Sequence, residues 1–230
     1  MAKFKNSDLI SDIRGSVGDK TYSRNRSGAY LKQKSKKKYK ITPARKQAMN
    51  KLSEVMSAWN DLSPEDYNKW SLLNNQLRNT SSYYKNKRLS IVSLFVKLNR
   101  NLLEVGMQVK KQPGRPDFPP LLNKVKIELR REEKDWDLLL HFQPELTENF
   151  RILLFATAPM NFKINSIKET AYKVIAVLDA GFKPGMSIKS FYFNKFQCEP
   201  GFRDKVCVKL KAIALESGLN SSIVSIESSD

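Results

Sequence analysis

Few side chains in this chain have the type and spacing to do chemistry, and each has a simpler structural explanation. His141 is the only histidine. A catalytic histidine needs an acid, base or nucleophile within hydrogen-bond reach, and none is identifiable along the chain. Its neighbours Leu140 and Phe142 belong to the inward set of a strand, so His141 is expected on the less apolar side. Glu132, Glu133, Asp135 and Asp137 crowd one stretch, and a pair of carboxylates is what glycoside hydrolysis requires. Set between two alternating apolar runs, they read instead as a solvated hairpin. Cys198 and Cys207 fit no zinc-ligand or redox spacing. They read as free thiols of a protein folded in a reducing compartment, with a local disulfide left open. Arg14-Gly15-Ser16-Val17-Gly18 has the look of a phosphate-cradling loop, but no buried strand precedes it and no Gly-Lys-Ser/Thr follows. No catalytic, metal or cofactor-binding set emerges, and the chain reads as a non-enzymatic protein without a cofactor.

What remains is binding, and charge locates it. The net charge is +18, and residues 1–46 hold 14 Lys or Arg against 3 Asp, a balance of +11. Charge concentrated at one end points to a polyanionic or acidic partner near that end. Residues 1–41 are expected to form a basic extended arm whose glycines, cations and tyrosines leave almost no aliphatic side chains to bury. Such a segment gains order only against something else. Val17, Thr21 and Tyr22 can support a brief strand, and Gly15, Gly18 and Gly28 suggest turns with positive φ. The expected partner-binding residues are Arg14, Gly15, Gly18, Tyr22, Arg24, Asn25, Arg26, Gly28 and Tyr30. The expected phosphate-binding residues are Lys32, Lys34, Lys36, Lys37, Lys38 and Lys40, beside which tyrosines can stack on exposed bases. A solvated, unstructured tail is the plainer reading of the same composition.

The elements that must carry this arm follow in order. Residues 42–112 are expected to be a helical domain with helices at about 43–60, 64–77 and 88–105. Thr42-Pro43 and Ser63-Pro64 are helix starts, each an N-cap followed by proline. Ala48, Leu52, Val55, Met56 and Trp59 form one apolar stripe, Tyr67, Trp70, Leu73 and Leu77 a second, and Ile91, Phe95, Leu98, Leu102 and Val105 a third. Trp59 and Trp70 are expected to pack together, and Asn99 to be a satisfied buried amide. The helical hairpin makes a poor DNA reader, because Glu65 and Asp66 would meet phosphates at the start of its second helix. Residues 113–120 hold four prolines, which forbid helix and central strand and favour a linker.

From 121 to 230 the period changes to alternation. Strands are expected around Val125–Leu129, Trp136–Phe142, Ile152–Ala156, Val174–Leu178, Ile188–Phe193, Val206–Ala212 and Ile223–Ile226. Seven short strands suggest an antiparallel sandwich of immunoglobulin or fibronectin type III kind. The fold class is thus α+β: basic arm, three-helix unit, proline linker and sandwich. The first residues contain no apolar signal segment, and no apolar run approaches the ~20 residues of a membrane span. A soluble protein made in the cytoplasm is expected.

The run Arg14-Gly15-Ser16-Val17-Gly18, then Thr21-Tyr22-Ser23-Arg24-Asn25-Arg26-Ser27-Gly28-Ala29-Tyr30, resembles virion-associated proteins of tailed bacteriophages and prophages. The resemblance extends to Thr42-Pro43-Ala44, Ser57-Ala58-Trp59, Trp70, Leu94–Leu103 and Phe155–Met160. It implies a virion structural protein, without enzyme activity, that docks in many copies onto a capsid, neck or tail assembly. Its partners would be portal, capsid or tail components and further copies of itself, with no membrane involved. A non-specific nucleic-acid-binding packaging or accessory protein is the alternative, with the lysines neutralising phosphates.

Overall fold

Two-residue turns fold the first segment back on itself. In the computed structural model, which describes residues 2–3, 13–34, 41–87, 89–131, 135–164, 166–201 and 203–228, strands β1 (Ala2–Lys3), β2 (Gly15–Val17), β3 (Lys20–Asn25) and β4 (Gly28–Gln33) form one antiparallel sheet in the order β1-β4-β3-β2. Val17 pairs with Lys20 across the first turn. Gly18 occupies its first central position at φ +59°, the place a II′ hairpin turn reserves for glycine. Gly15 and Gly28 also take positive φ, as their type suggested. The expectation of an arm without structure of its own is therefore corrected. Hairpin pairing satisfies the backbone of residues 15–33 locally, and no side chain of residues 13–34 is buried.

Residues 1–46 and 47–230 make two compact units. Helix α1 (Pro43–Asn60) opens at Thr42, whose Oγ1 accepts from the Arg45 N–H at 3.3 Å. Helix α2 (Pro64–Thr80) is capped by Ser63, whose hydroxyl accepts from the Asp66 N–H at 3.1 Å. Helix α4 (Ile91–Glu104) starts at Ser90 in the same way, with Gly106 at φ +81° after its end. Between them lies a short helix, α3 (Ser82–Lys87), where a polar break was expected. Among its described side chains only Tyr84 is buried, too little to produce a readable period. The α1 stripe is buried only at Val55, while Leu52 stays exposed.

The helices share one apolar cluster centred on Phe95. Trp59 and Trp70 pack in the same cluster, as expected, with Phe95 as their common neighbour; each meets its ring edge-on, at centroid distances of 5.2 and 5.0 Å. That is the arrangement aromatic quadrupoles favour. Asn99, fully buried, donates to the carbonyls of Phe95 and Lys110 and accepts from the Lys110 N–H. It is the satisfied amide that its position implied.

The remaining chain is antiparallel sheet. Strands β5 (Asn123–Arg131), β6 (Trp136–Gln143) and β10 (Met186–Ser187) form a three-stranded sheet, β10-β6-β5. Strands β7 (Phe150–Ala156), β9 (Lys173–Leu178), β12 (Cys207–Ala214) and β13 (Val224–Glu227) form a four-stranded one, β13-β12-β7-β9. Two-residue strands β8 (Met160–Asn161) and β11 (Asp204–Lys205) pair separately. Ile127, Leu138 and Leu140 from the first sheet and Ile152, Leu154, Val208 and Leu210 from the second enter one buried cluster. The architecture is α+β with antiparallel sheets.

One expected strand is a helix. Ile188–Phe193 falls at helix α5 (Lys189–Phe196). Ile188 and Tyr192 are buried while Phe191 and Phe193 are exposed, and Phe196 packs against the same cluster. The inward set therefore recurs every four residues, the helical spacing, and aromatic content had suggested strand.

The four-stranded sheet is covered on its second face too. Leu153 and Ile213 meet Val105 at the end of α4, which explains why β7 reads as an unbroken apolar run. The loop after β12 seals this seam: Asn101 donates to the Gly218 carbonyl at 2.8 Å, and Leu219 sits in the helical cluster. Residues 113–120 form neither helix nor strand, as their prolines require. They are nonetheless held, with Ser217 Oγ donating to the Asp117 carbonyl at 3.3 Å and the Gly114 backbone against that of Glu216. Composition changes at these prolines, but in contacts the helices and sheets are one unit.

Candidate partner-binding sheet

Residues directly opposite in an antiparallel pair share a face, and neighbours along a strand alternate. The register therefore sorts the first sheet completely. Tyr22 lies opposite Gly15 and Leu31, Arg24 opposite Ala29, and Lys20 opposite Val17 and Gln33. These residues make an apolar and basic face. Thr21 lies opposite Ser16 and Lys32, and Ser23 opposite Tyr30. They make a more polar face, with the Ser16 and Thr21 hydroxyls 3.0 Å apart. Tyr22 and Tyr30 thus point to opposite sides. Val17, which the sequence reading named only as a strand residue, and Leu31, which it did not single out, complete the Tyr22 face, and Val17 is 71% exposed. The signal was present in the alternation of apolar and polar residues across both hairpins.

The turns hold the remaining residues. Asn25 accepts from the Ser27 N–H at 2.9 Å, an Asx turn that fixes Arg26 at the hairpin tip. Lys34 donates to the Gly18 carbonyl at 3.0 Å through Nζ. Arg14 immediately precedes β2. Residues 13–34 carry six Lys or Arg and a single acid, Asp19. The cations are spread over both faces and the tips. Lys36, Lys37, Lys38 and Lys40 lie outside the described residues.

The other candidate residues take structural partners. His141 is half-buried, 3.7 Å from Glu128, whose carboxyl is held below the usual range by the Arg130 guanidinium hydrogen-bonded to it at 2.8 Å. Asp135 pairs with Lys189, which pulls its carboxyl below the usual value, and Asp137 accepts from Ser187 Oγ. Glu132 and Glu133 lie outside the described residues. Among the described residues no group of three or more His, Cys, Asp and Glu is placed to hold a metal ion, and no helix is long and apolar enough to cross a membrane.

Both cysteines are free. Cys207 is fully buried, and desolvation pushes its thiol up to about 11. A raised thiol value means that the protonated form suits the fold. The stabilisation is complete below the ordinary thiol value of 9.0 and is lost as pH rises through about 11. In the folded protein at pH 8, one thiol per chain, Cys198, is expected to react with 5,5′-dithiobis(2-nitrobenzoate). Cys207 reacts only after unfolding. Two fast thiols in the native protein would contradict this packing.

Sequence reasoning did not single out Lys211, which falls between Leu210 and Ala212 in an expected strand. The end of α4 covers it: its Nζ donates to Asn101 Oδ1 at 2.6 Å and lies 3.5 Å from Glu104. Compared with protein-family models, with curated proteins and with solved structures, the chain matches none.

Proposed function

We propose that the protein is a non-enzymatic structural component of a bacteriophage virion. It docks in multiple copies onto a capsid, neck or tail assembly and is made in the host cytoplasm. Residues 13–34 are its contact surface, meeting portal, capsid or tail components and neighbouring copies. One observation carries this reading: the sheet, none of whose side chains within residues 13–34 is buried, carries Tyr22, Leu31 and Val17 beside Arg24 and Lys20 on one face. That face stands to gain burial when a neighbour covers it.

The finer fold belongs to the same proposal. Lettered A, B, C, C′, E, F and G, strands β5, β6, β7, β9, β10, β12 and β13 fall into an ABE and a C′CFG sheet. This supports a sandwich of fibronectin type III kind.

The second reading, phosphate neutralisation by a nucleic-acid-binding accessory protein, is favoured by the six cations against one acid in residues 13–34. Variants separate the two. Burying one aromatic side chain is worth roughly 1.5–3 kcal/mol, and repetition in an assembly multiplies the effect. Tyr22→Ala is expected to abolish incorporation into purified particles, with Tyr30→Ala reporting on the opposite face. Changing Lys36, Lys37 and Lys38 together to Gln is expected to leave incorporation largely intact. Loss in the lysine variant with rescue at low salt, while both tyrosine variants are retained, would favour nucleic acid instead.

A further inference from the structure

Helix α1 leaves part of its apolar stripe open, and what faces it is a groove. Leu52 and Met56 of α1, Val92 and Val96 of α4 and Ile223 before β13 line a cavity of about 600 Å³ with Lys211 on its floor. A second lobe of about 490 Å³ adjoins it, walled by Tyr84, Phe118 and Leu121. Lys97, Asn220 and Ile223 belong to both lobes. All these residues lie in the 47–230 unit. Four large side chains on the walls remain exposed: Leu52, Phe118, Leu121 and Ile223, the last at 56%.

The charge of the groove selects its occupant. Among the described residues that line it, Lys97, Arg100 and Lys211 stand against Glu104 alone, a positive excess of two. Glu104 is shared, 3.8 Å from Arg100 and 3.5 Å from Lys211. Lys97 stands 4.6 Å above the Tyr84 ring. Residues 1–46 of a second copy, at +11, are repelled from such a surface. A carboxylate is attracted, and most strongly where the cations are partly desolvated. Burial holds the Lys211 ammonium below the usual lysine range, outweighing Glu104.

The shape excludes a small enclosed ligand. Small molecules favour cavities that bury most of their surface, whereas here the apolar walls are open to solvent along two joined lobes. That geometry suits an extended chain which places one large side chain in each lobe. The floor is firm. Asn101 Nδ2 donates to Asn220 Oδ1 at 3.3 Å, Asn220 Nδ2 donates to the Ser221 carbonyl at 2.8 Å, and Asn220 bridges to Ile213.

We propose that this groove binds a partner protein through an acidic peptide segment bearing two large apolar side chains. The interaction is separate from the first sheet and does not depend on it. The test is selection of random twelve-residue peptides, displayed on yeast, against the full chain. Enriched peptides are expected to carry net negative charge together with Leu, Ile or Phe. Lys97→Glu and Ile223→Asp, both at the groove wall, are each expected to weaken the selected peptides about tenfold or more. The Lys36, Lys37 and Lys38 to Gln variant is expected to retain them. If one groove variant fails to fold by circular dichroism, the other decides. Enrichment of basic or uncharged peptides, or retained binding to a folded groove variant, would overturn the proposal. So would loss confined to the lysine-run variant.

Discussion

Phe95→Ala is expected to destabilise the 47–230 unit by roughly 3–5 kcal/mol, the cost of emptying a buried aromatic site. Phe95 is fully buried and receives both Trp59 and Trp70 edge-on. Its removal takes away apolar contact and also the common neighbour that orients the two indoles. Trp70 is further fixed by its Nε1, which donates to the Lys111 carbonyl at 2.7 Å, so it cannot swing freely to fill the space. Urea unfolding followed by tryptophan fluorescence measures the effect, with Phe95→Leu expected to lose about a third as much. Because helices and sheets form one unit, a single transition should move to lower urea, with Trp136 in β6 reporting it alongside the helical tryptophans. A cost under about 1 kcal/mol would mean that the cluster is not closed around Phe95. A separate sheet transition left in place would mean that residues 121–230 hold together independently of the helices.

Gly218→Ala is expected to cost roughly 2–4 kcal/mol through two effects acting at one atom. Gly218 has φ +74°, and a Cβ there would lie 2.4 Å from the Leu98 carbonyl oxygen and 2.9 Å from its carbon. Those atoms belong to the backbone of α4, which cannot shift as a side chain can. The Asn101 bond to the Gly218 carbonyl and the Leu219 side chain in the helical cluster would move with the displaced loop. Gly106→Ala supplies the control. It shares the positive φ, at +81°, but the nearest atom to an added Cβ is 3.9 Å away on the Arg151 side chain. Its cost should stay near the 1–2 kcal/mol of the backbone conformation alone. The difference between the two variants, read from urea midpoints, isolates the close approach of loop and helix. Equal costs would mean that the loop yields.

Local rules acted where their partners were near in sequence, and there the chain was legible. Thr42-Pro43 and Ser63-Pro64 announce helices because the cap and the freed N–H groups are three residues apart. Gly18 announces a tight turn because only its own backbone is concerned. Alternation, or in β7 an unbroken apolar run, announced six of the seven expected strands, since facing a core on one side or both leaves its mark on composition. The basic, core-free character of residues 13–34 was equally plain from residue types.

Tertiary structure decided the rest, wherever a residue's environment comes from elsewhere in the chain. Ile188–Phe193 carries aromatics that suit a strand, yet Ile188, Tyr192 and Phe196 find the core at helical spacing. Lys211 sits in an alternating strand like an outward residue, and only the end of α4 over the second sheet face brings it to Asn101 and Glu104. Register sent Tyr22 and Tyr30 to opposite faces, which a list of tyrosines does not reveal. The sequence by itself determined where helices start, where the chain turns and where cations gather, because those depend on neighbours a few bonds away. Which surfaces are covered, and which are left open for a partner, depends on long-range contacts, and only the folded chain decides them.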